Sequence, residues 1–285
     1  MAIKASVPAD SRAGGTSPQA TGPAYRRVRP RYMRQDKKSQ RVLYGVVTMA
    51  ALIGVWELLA ALRIKPPILL PGPVDVGRAF QEMFSSPTIW TDLSVSGKEL
   101  LYGYLLAAGA GITLGLLIGW YRRLGYMVEP LVNFMYAVPR VALTPLLIVW
   151  LGIGLTSKIA LVFLVAVFPI LITTSSGVRN LDWQLLRTAR CFGASDLKIF
   201  RTVALPGSVP FILSGLRLGV GQALIGVFVA EMVGSQHGIG QFMNVAGQQF
   251  QTAKVVAGLV IFAVTGVVLT AIVRRAERHF SAWKL

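Results

Sequence analysis

The chain has 285 residues, 54% of them hydrophobic and only 14% charged, where soluble domains run near about 25% charged. A soluble protein of this length cannot bury so much apolar side chain, which leaves a helical membrane protein. The formal net charge of +17 does not point to nucleic acid: ten of the 29 Lys and Arg residues lie between Lys4 and Arg41, and most others lie in short stretches between apolar runs, where charge sets membrane orientation.

Residues 1–41 are rich in Pro, Gly, Ser, Thr and Arg without apolar periodicity, which predicts a disordered basic cytoplasmic tail whose arginines can touch anionic membrane lipid. The first 40 residues carry no apolar core of a signal peptide, so the first membrane helix is expected to stay as an anchor. Six runs are long enough to span, at about 42–62, 99–120, 130–152, 158–177, 206–233 and 254–273. The fold class they predict is an all-α polytopic membrane protein. The first helix and an outer segment run to residue 94, a transmembrane domain covers 95–275, and 276–285 form a cytoplasmic C-terminus. Pro139 and Pro145 break the third run. The fifth is overlong and begins with Pro206 and Pro210.

With the N-terminus inside, 21 Lys and Arg residues fall in inner segments and 6 in outer ones, the outer set being Arg63, Lys65, Arg78, Lys98, Lys158 and Lys254. This favours both termini in the cytoplasm. Gly111, Gly115 and Gly119 recur at every fourth position, as do Gly215 and Gly219, a spacing that lets helix backbones approach closely in lipid.

The connection from Val178 to Leu205 is too short to span and too ordered for a plain linker. Asn180 or Asp182 can cap a short helix over Trp183–Phe192, and Gly193 suits the left-handed residue that ends it. Ser195 can cap a second helix, Asp196–Ala204, with Pro206 closing it. The stretch LLRTARCFGASDLKIFRTVALPGSVPFILSGLRLG, residues 185–219, resembles the EAA loop of type I ABC importer permeases. Thr188, Ala189, Gly193, Val203, Leu205 and Pro206 match that pattern, while its Glu is replaced by Arg187. LPGP at 70–73, PLLIVWLGIG at 145–154, FPILITTSSG at 168–177, AEMVG at 230–234 and GIG at 238–240 look like the permeases for nitrate, sulfonate, taurine and bicarbonate.

The resemblance implies a type I ABC importer transmembrane domain. Two permease subunits, usually identical, would stand side by side, with a periplasmic substrate-binding protein delivering the solute. Each loop would insert as a coupling helix into one of two ATPase subunits. The residues it assigns to coupling are Arg187, Thr188, Ala189, Arg190, Gly193, Ala194, Ser195, Leu197, Leu205 and Pro206. No cofactor is expected in this chain, since ATP and Mg would be used by the partner ATPase.

Arg140, Arg217 and Glu231 lie inside predicted spans, where a charge usually faces an interior or an aqueous path. They are the candidates for the translocation path. Arg140 or Arg217 could make it electropositive for a small oxyanion, or each could cap backbone carbonyls or pair structurally. GIGLTSK at 152–158 lacks P-loop spacing. His237 and His279 have no partners at ligand spacing, and the single cysteine, Cys191, excludes an intrachain disulfide and a cysteine-based metal site. No catalytic constellation and no metal site are expected. A secondary transporter or channel would leave the 178–205 loop without a purpose, and a membrane-embedded enzyme would need a His or carboxylate cluster in the spans. A permease for a pyrimidine-type vitamin precursor stays open beside the anion permeases.

Overall fold

A computed structural model describes residues 38–62, 66 and 68–281 of the chain. The expected tail lies outside these residues as far as residue 37, and its last four residues instead begin a helix, α1 (Lys38–Ala61). Two compact units divide after Ala51. In the first, the described part is the start of α1, where Leu43, Tyr44, Val46, Val47 and Met49 are all exposed, as a helix facing hydrocarbon requires.

The second unit holds the rest of α1 and α2 (Pro73–Ser85), α3 (Thr88–Trp120), α4 (Arg122–Ala137), a 3-10 turn at Arg140–Leu143, α5 (Thr144–Leu151) and α6 (Leu155–Arg179). After these come α7 (Trp183–Cys191), α8 (Asp196–Ile199), a π-turn at Phe200–Ala204, α9 (Leu205–Gly234), α10 (Ile239–Gln248) and α11 (Thr252–Ser281). Among the described residues, five helices are long and apolar enough to cross a membrane, or six with α4 and α5 counted as one broken span. That pair bends by 82° where Val138, preceding Pro139, is extended at ψ 133. Pro145 falls in the first turn of α5, where its missing N–H costs nothing.

The core is the packing of α3, α6 and α9 around Ala107, Val162, Ala166, Val167, Ile170, Ala223 and Val227. The glycine spacing on α3 is used as expected: a Cβ at Gly111 would lie 2.9 Å from Ile170, one at Gly115 2.7 Å from the Leu171 carbonyl oxygen, and one at Gly119 2.7 Å from Val178. Bare backbone at these points brings the helices close enough for dispersion to hold them together in lipid.

Three elements differ from expectation. First, α3 begins at Thr88 rather than 99, because Asp92, Ser96 and Glu99 are polar yet buried on the same stripe as Gly103, Ala107, Gly111 and Gly115. Second, Pro206 does not close the second short helix, because α8 runs through the π-turn into α9 as one helix from Asp196 to Gly234. Leu205 keeps helical angles (φ −63, ψ −51), and the wider π-turn gives the proline ring room against the preceding carbonyls. Third, α10 occupies the stretch between the last two spans, too short and too rich in Gln and Asn to register as one.

Candidate functional site

Two features stand at opposite ends of the α3–α6–α9 bundle, separated by about 30 Å of helix rise between Glu99 and Trp120. At one end, Asp182 caps α7: its Oδ1 accepts from the Gln184 N–H at 2.8 Å. The helix closes with the Ala194 N–H on the Ala189 carbonyl at 3.1 Å, and Gly193 takes φ +73, a left-handed turn that favours glycine. Ser195 Oγ then accepts from the Lys198 N–H, and Arg190 pairs with Asp196 across the turn at 3.7 Å. Arg187, standing where the EAA pattern has Glu, lays its guanidinium over Trp183 at 5.8 Å.

α8 is anchored, since Ile199 and Ala204 are buried and Phe200 packs edge-on against Trp120 with centroids 5.2 Å apart. α7 is not: none of its nine residues is buried. Trp183 is 62% exposed, Leu197 59% and Phe192 86%. Trp183 on α7, Phe192 just after it and Leu197 on α8 are thus large apolar side chains bared at this end of the bundle. Phe192, the most exposed of them, was missing from the residues picked out by sequence.

At the other end is a buried polar cluster that sequence reasoning did not assemble. Ser96 Oγ donates to Glu231 Oε1 at 2.5 Å and accepts from the Ile239 N–H at 3.0 Å. The Gly240 N–H reaches Glu231 Oε2 at 2.6 Å, and the Gly238 N–H reaches Asp92 Oδ1 at 2.8 Å. The free donors at the start of α10 are thus taken by two carboxylates and a hydroxyl from α3 and α9, which also suits the positive end of the helix dipole. Lys158 donates to Glu99 Oε1 at 2.8 Å and to the Ser235 hydroxyl. Read from sequence as an outer-loop charge, Lys158 is instead a buried residue of α6. The signal available was the helical spacing of Asp92, Ser96 and Glu99 in line with the glycine stripe.

The three sequence-proposed path residues have separate partners. Glu231 is fully buried in this cluster. Arg217 of α9 forms an ion pair with Glu277 of α11. Arg140 donates to the Val165 carbonyl at 3.3 Å, its guanidinium 5.0 Å from the Tyr136 ring centroid and 5.5 Å from that of Phe168.

The family model for the binding-protein-dependent transport system inner membrane component matches residues 111–282. The chain belongs to this family. It is the transmembrane permease subunit of an ATP-binding-cassette importer, which works with an ATPase and a binding protein. Among its relatives is a putative aliphatic sulfonates transport permease protein of Bacillus subtilis, 34% identical over 96% of this chain and 97% of the relative. The taurine transport system permease protein of Escherichia coli is 30% identical over 86% of this chain and 91% of its own length. The permease also shares its fold, at TM-score 0.58 and 20% identity, with a chain of the inward-facing MetNI methionine ABC transporter, over 69% of this chain and 99% of that one.

Proposed function

We propose that the permease pairs with a second, identical copy and carries a small organic anion of the sulfonate type, with α7 and α8 in the cytoplasm as the handles pulled by two ATPase subunits. The observation that carries the coupling role is the exposed, fully capped α7 standing on an anchored α8. A rigid lever transmits a partner's motion, whereas a loose loop absorbs it. The orientation is supported by the five Lys and Arg residues of 178–205 and the arginines of α11 near its end. The names of the sulfonate and taurine relatives support the solute class. ATP and Mg belong to the partner, and both termini of this chain lie in the cytoplasm.

Proteoliposomes holding the permease, its ATPase and its binding protein are expected to take up alkanesulfonate only with ATP inside the compartment that bears the ATPase. Full-rate uptake without the ATPase would overturn the reading. Within it, Phe192→Asp is expected to leave the permease folded, because the side chain is 86% exposed. It should weaken co-purification of the ATPase at least about tenfold, equivalent to about 1.4 kcal/mol. Undiminished recovery of the ATPase would remove α7 from the interface.

Among the three path candidates, Arg140 is the one whose guanidinium faces aromatic rings without an acidic partner among the described residues. We place it on the anion's route. Arg140→Gln is expected to lower sulfonate uptake about tenfold or more, as the loss of one partly desolvated charge on an anion's path implies. Wild-type uptake with unchanged anion preference would assign Arg140 to structure alone.

A further inference from the structure

α10 has two unlike faces. Ile239, Gly240, Met243 and Ala246 are buried, and Ile239 and Met243 pack in a cluster with Met83 and Ile89. The opposite face carries Gln241, Asn244 and Gln248 in a single stripe at three- and four-residue spacing. Their amides form a chain: Gln248 Nε2 donates to Asn244 Oδ1 at 3.3 Å, and Asn244 Nδ2 donates to the Met232 carbonyl at 3.2 Å and to Gln241 Oε1 at 3.4 Å. Asn244 and Gln248 of the stripe line a groove of about 380 Å³ that reaches round α10 to Met243 and Gly247 and whose far walls are Phe228, Met232 and Val255. No charged side chain lines it.

From this juxtaposition we infer that the groove is a transit subsite for an organic anion with an alkyl body. The oxygen-rich head would accept from the second amide hydrogen of Gln248, whose first is held by Asn244 Oδ1, and the alkyl part would lie on Phe228, Met232 and Val255. The groove lies between two spanning helices, α9 and α11. Turned to hydrocarbon, the second amide hydrogen and the side-chain oxygen of Gln248, which the chain of amides does not use, would stay unpaired, so this face belongs to an aqueous path. Neutral dipoles suit a transit site, because a solute must bind well enough to enter and weakly enough to leave. The stripe is also held in place beforehand, since Asp92, Ser96 and Glu231 fix the start of α10. A bare inorganic anion would leave the apolar wall unused. The subsite therefore narrows the solute to alkyl-bearing anions, and it rests on the sulfonate reading above.

The test uses the complete transporter in proteoliposomes with saturating binding protein and a series of straight-chain alkanesulfonates from methane- to hexanesulfonate. Gln248→Leu, at an exposed position, is expected to lower uptake across the series at least about fivefold. Met232→Ala is expected to shift the preferred chain length upward by a carbon or more, which general damage to the fold would not do. If both variants reproduce the wild-type rates and chain-length profile, the groove is not a transit subsite. A disulfide formed between Gln248→Cys residues of two copies would assign the groove to a subunit interface and overturn the inference. Absence of ATP-dependent uptake in the wild type itself would instead sink the transport reading on which the groove depends.

Discussion

Lys158→Met should destabilise the folded permease by about 3–5 kcal/mol, the cost of removing one partner from a buried ion pair. Glu99 is fully buried and Lys158 nearly so, and their 2.8 Å pairing is what lets a carboxylate and an ammonium sit between α3 and α6. Without the ammonium, the Glu99 charge faces a low-dielectric interior beside Glu231 with no cation to offset it. The same physics predicts the rescue. In Lys158→Met/Glu99→Met both charges are gone, and apolar side chains of similar length occupy the space, so most of the loss should return. Unfolding midpoints in detergent for the two single variants and the double variant measure the coupling. A Lys158→Met protein as stable as wild type, or a double variant worse than either single one, would show that the pair does not hold the helices together.

Gly238→Ala is expected to be nearly as damaging, for a reason of shape. Gly238 adopts φ +124, which an L side chain resists at about 1–3 kcal/mol. Its added Cβ would also lie 2.3 Å from the Glu231 carboxyl carbon, inside any permissible contact. To make room, Glu231 must give up its bonds to Ser96 and Gly240, and α10 loses its anchor. The permease variant should fail to accumulate as a monodisperse species in detergent, or show an unfolding midpoint lower by the equivalent of about 2–5 kcal/mol. Gly221 provides the control, because a Cβ there meets nothing within 4 Å. Gly221→Ala, within α9, should be neutral or slightly stabilising. Equal behaviour of the two variants would detach the glycine from the Glu231 network.

These two results would also account for motifs that sequence alone left as strings. AEMVG at 230–234 and GIG at 238–240 are one device: the carboxylate of the first receives the backbone of the second, and the glycines are what allow it so near. Nothing in their spacing reveals this, because Asp92 and Ser96, the other two acceptors, lie more than a hundred residues earlier in the chain. The bared α7 likewise became visible only with burial in hand. Asp182 and Gly193 mark the ends of α7, but they could not say that Phe192 would stand 86% exposed.

Features that local physics governs are legible before the chain folds. Long apolar runs demand membrane helices, Pro139 and Pro145 break the third of them, Asp182 and Gly193 delimit α7, and glycines at every fourth position mark the face on which α3 meets α6. The fate of each buried charge depends on the assembled bundle. Hydropathy counts Glu99 and Glu231 as liabilities in a span and leaves Lys158 in an outer loop, because it reads each residue against lipid or water alone. Their actual surroundings are one another, Ser96 and the open N–H groups of α10, and that environment exists only once α3, α6 and α9 have come together.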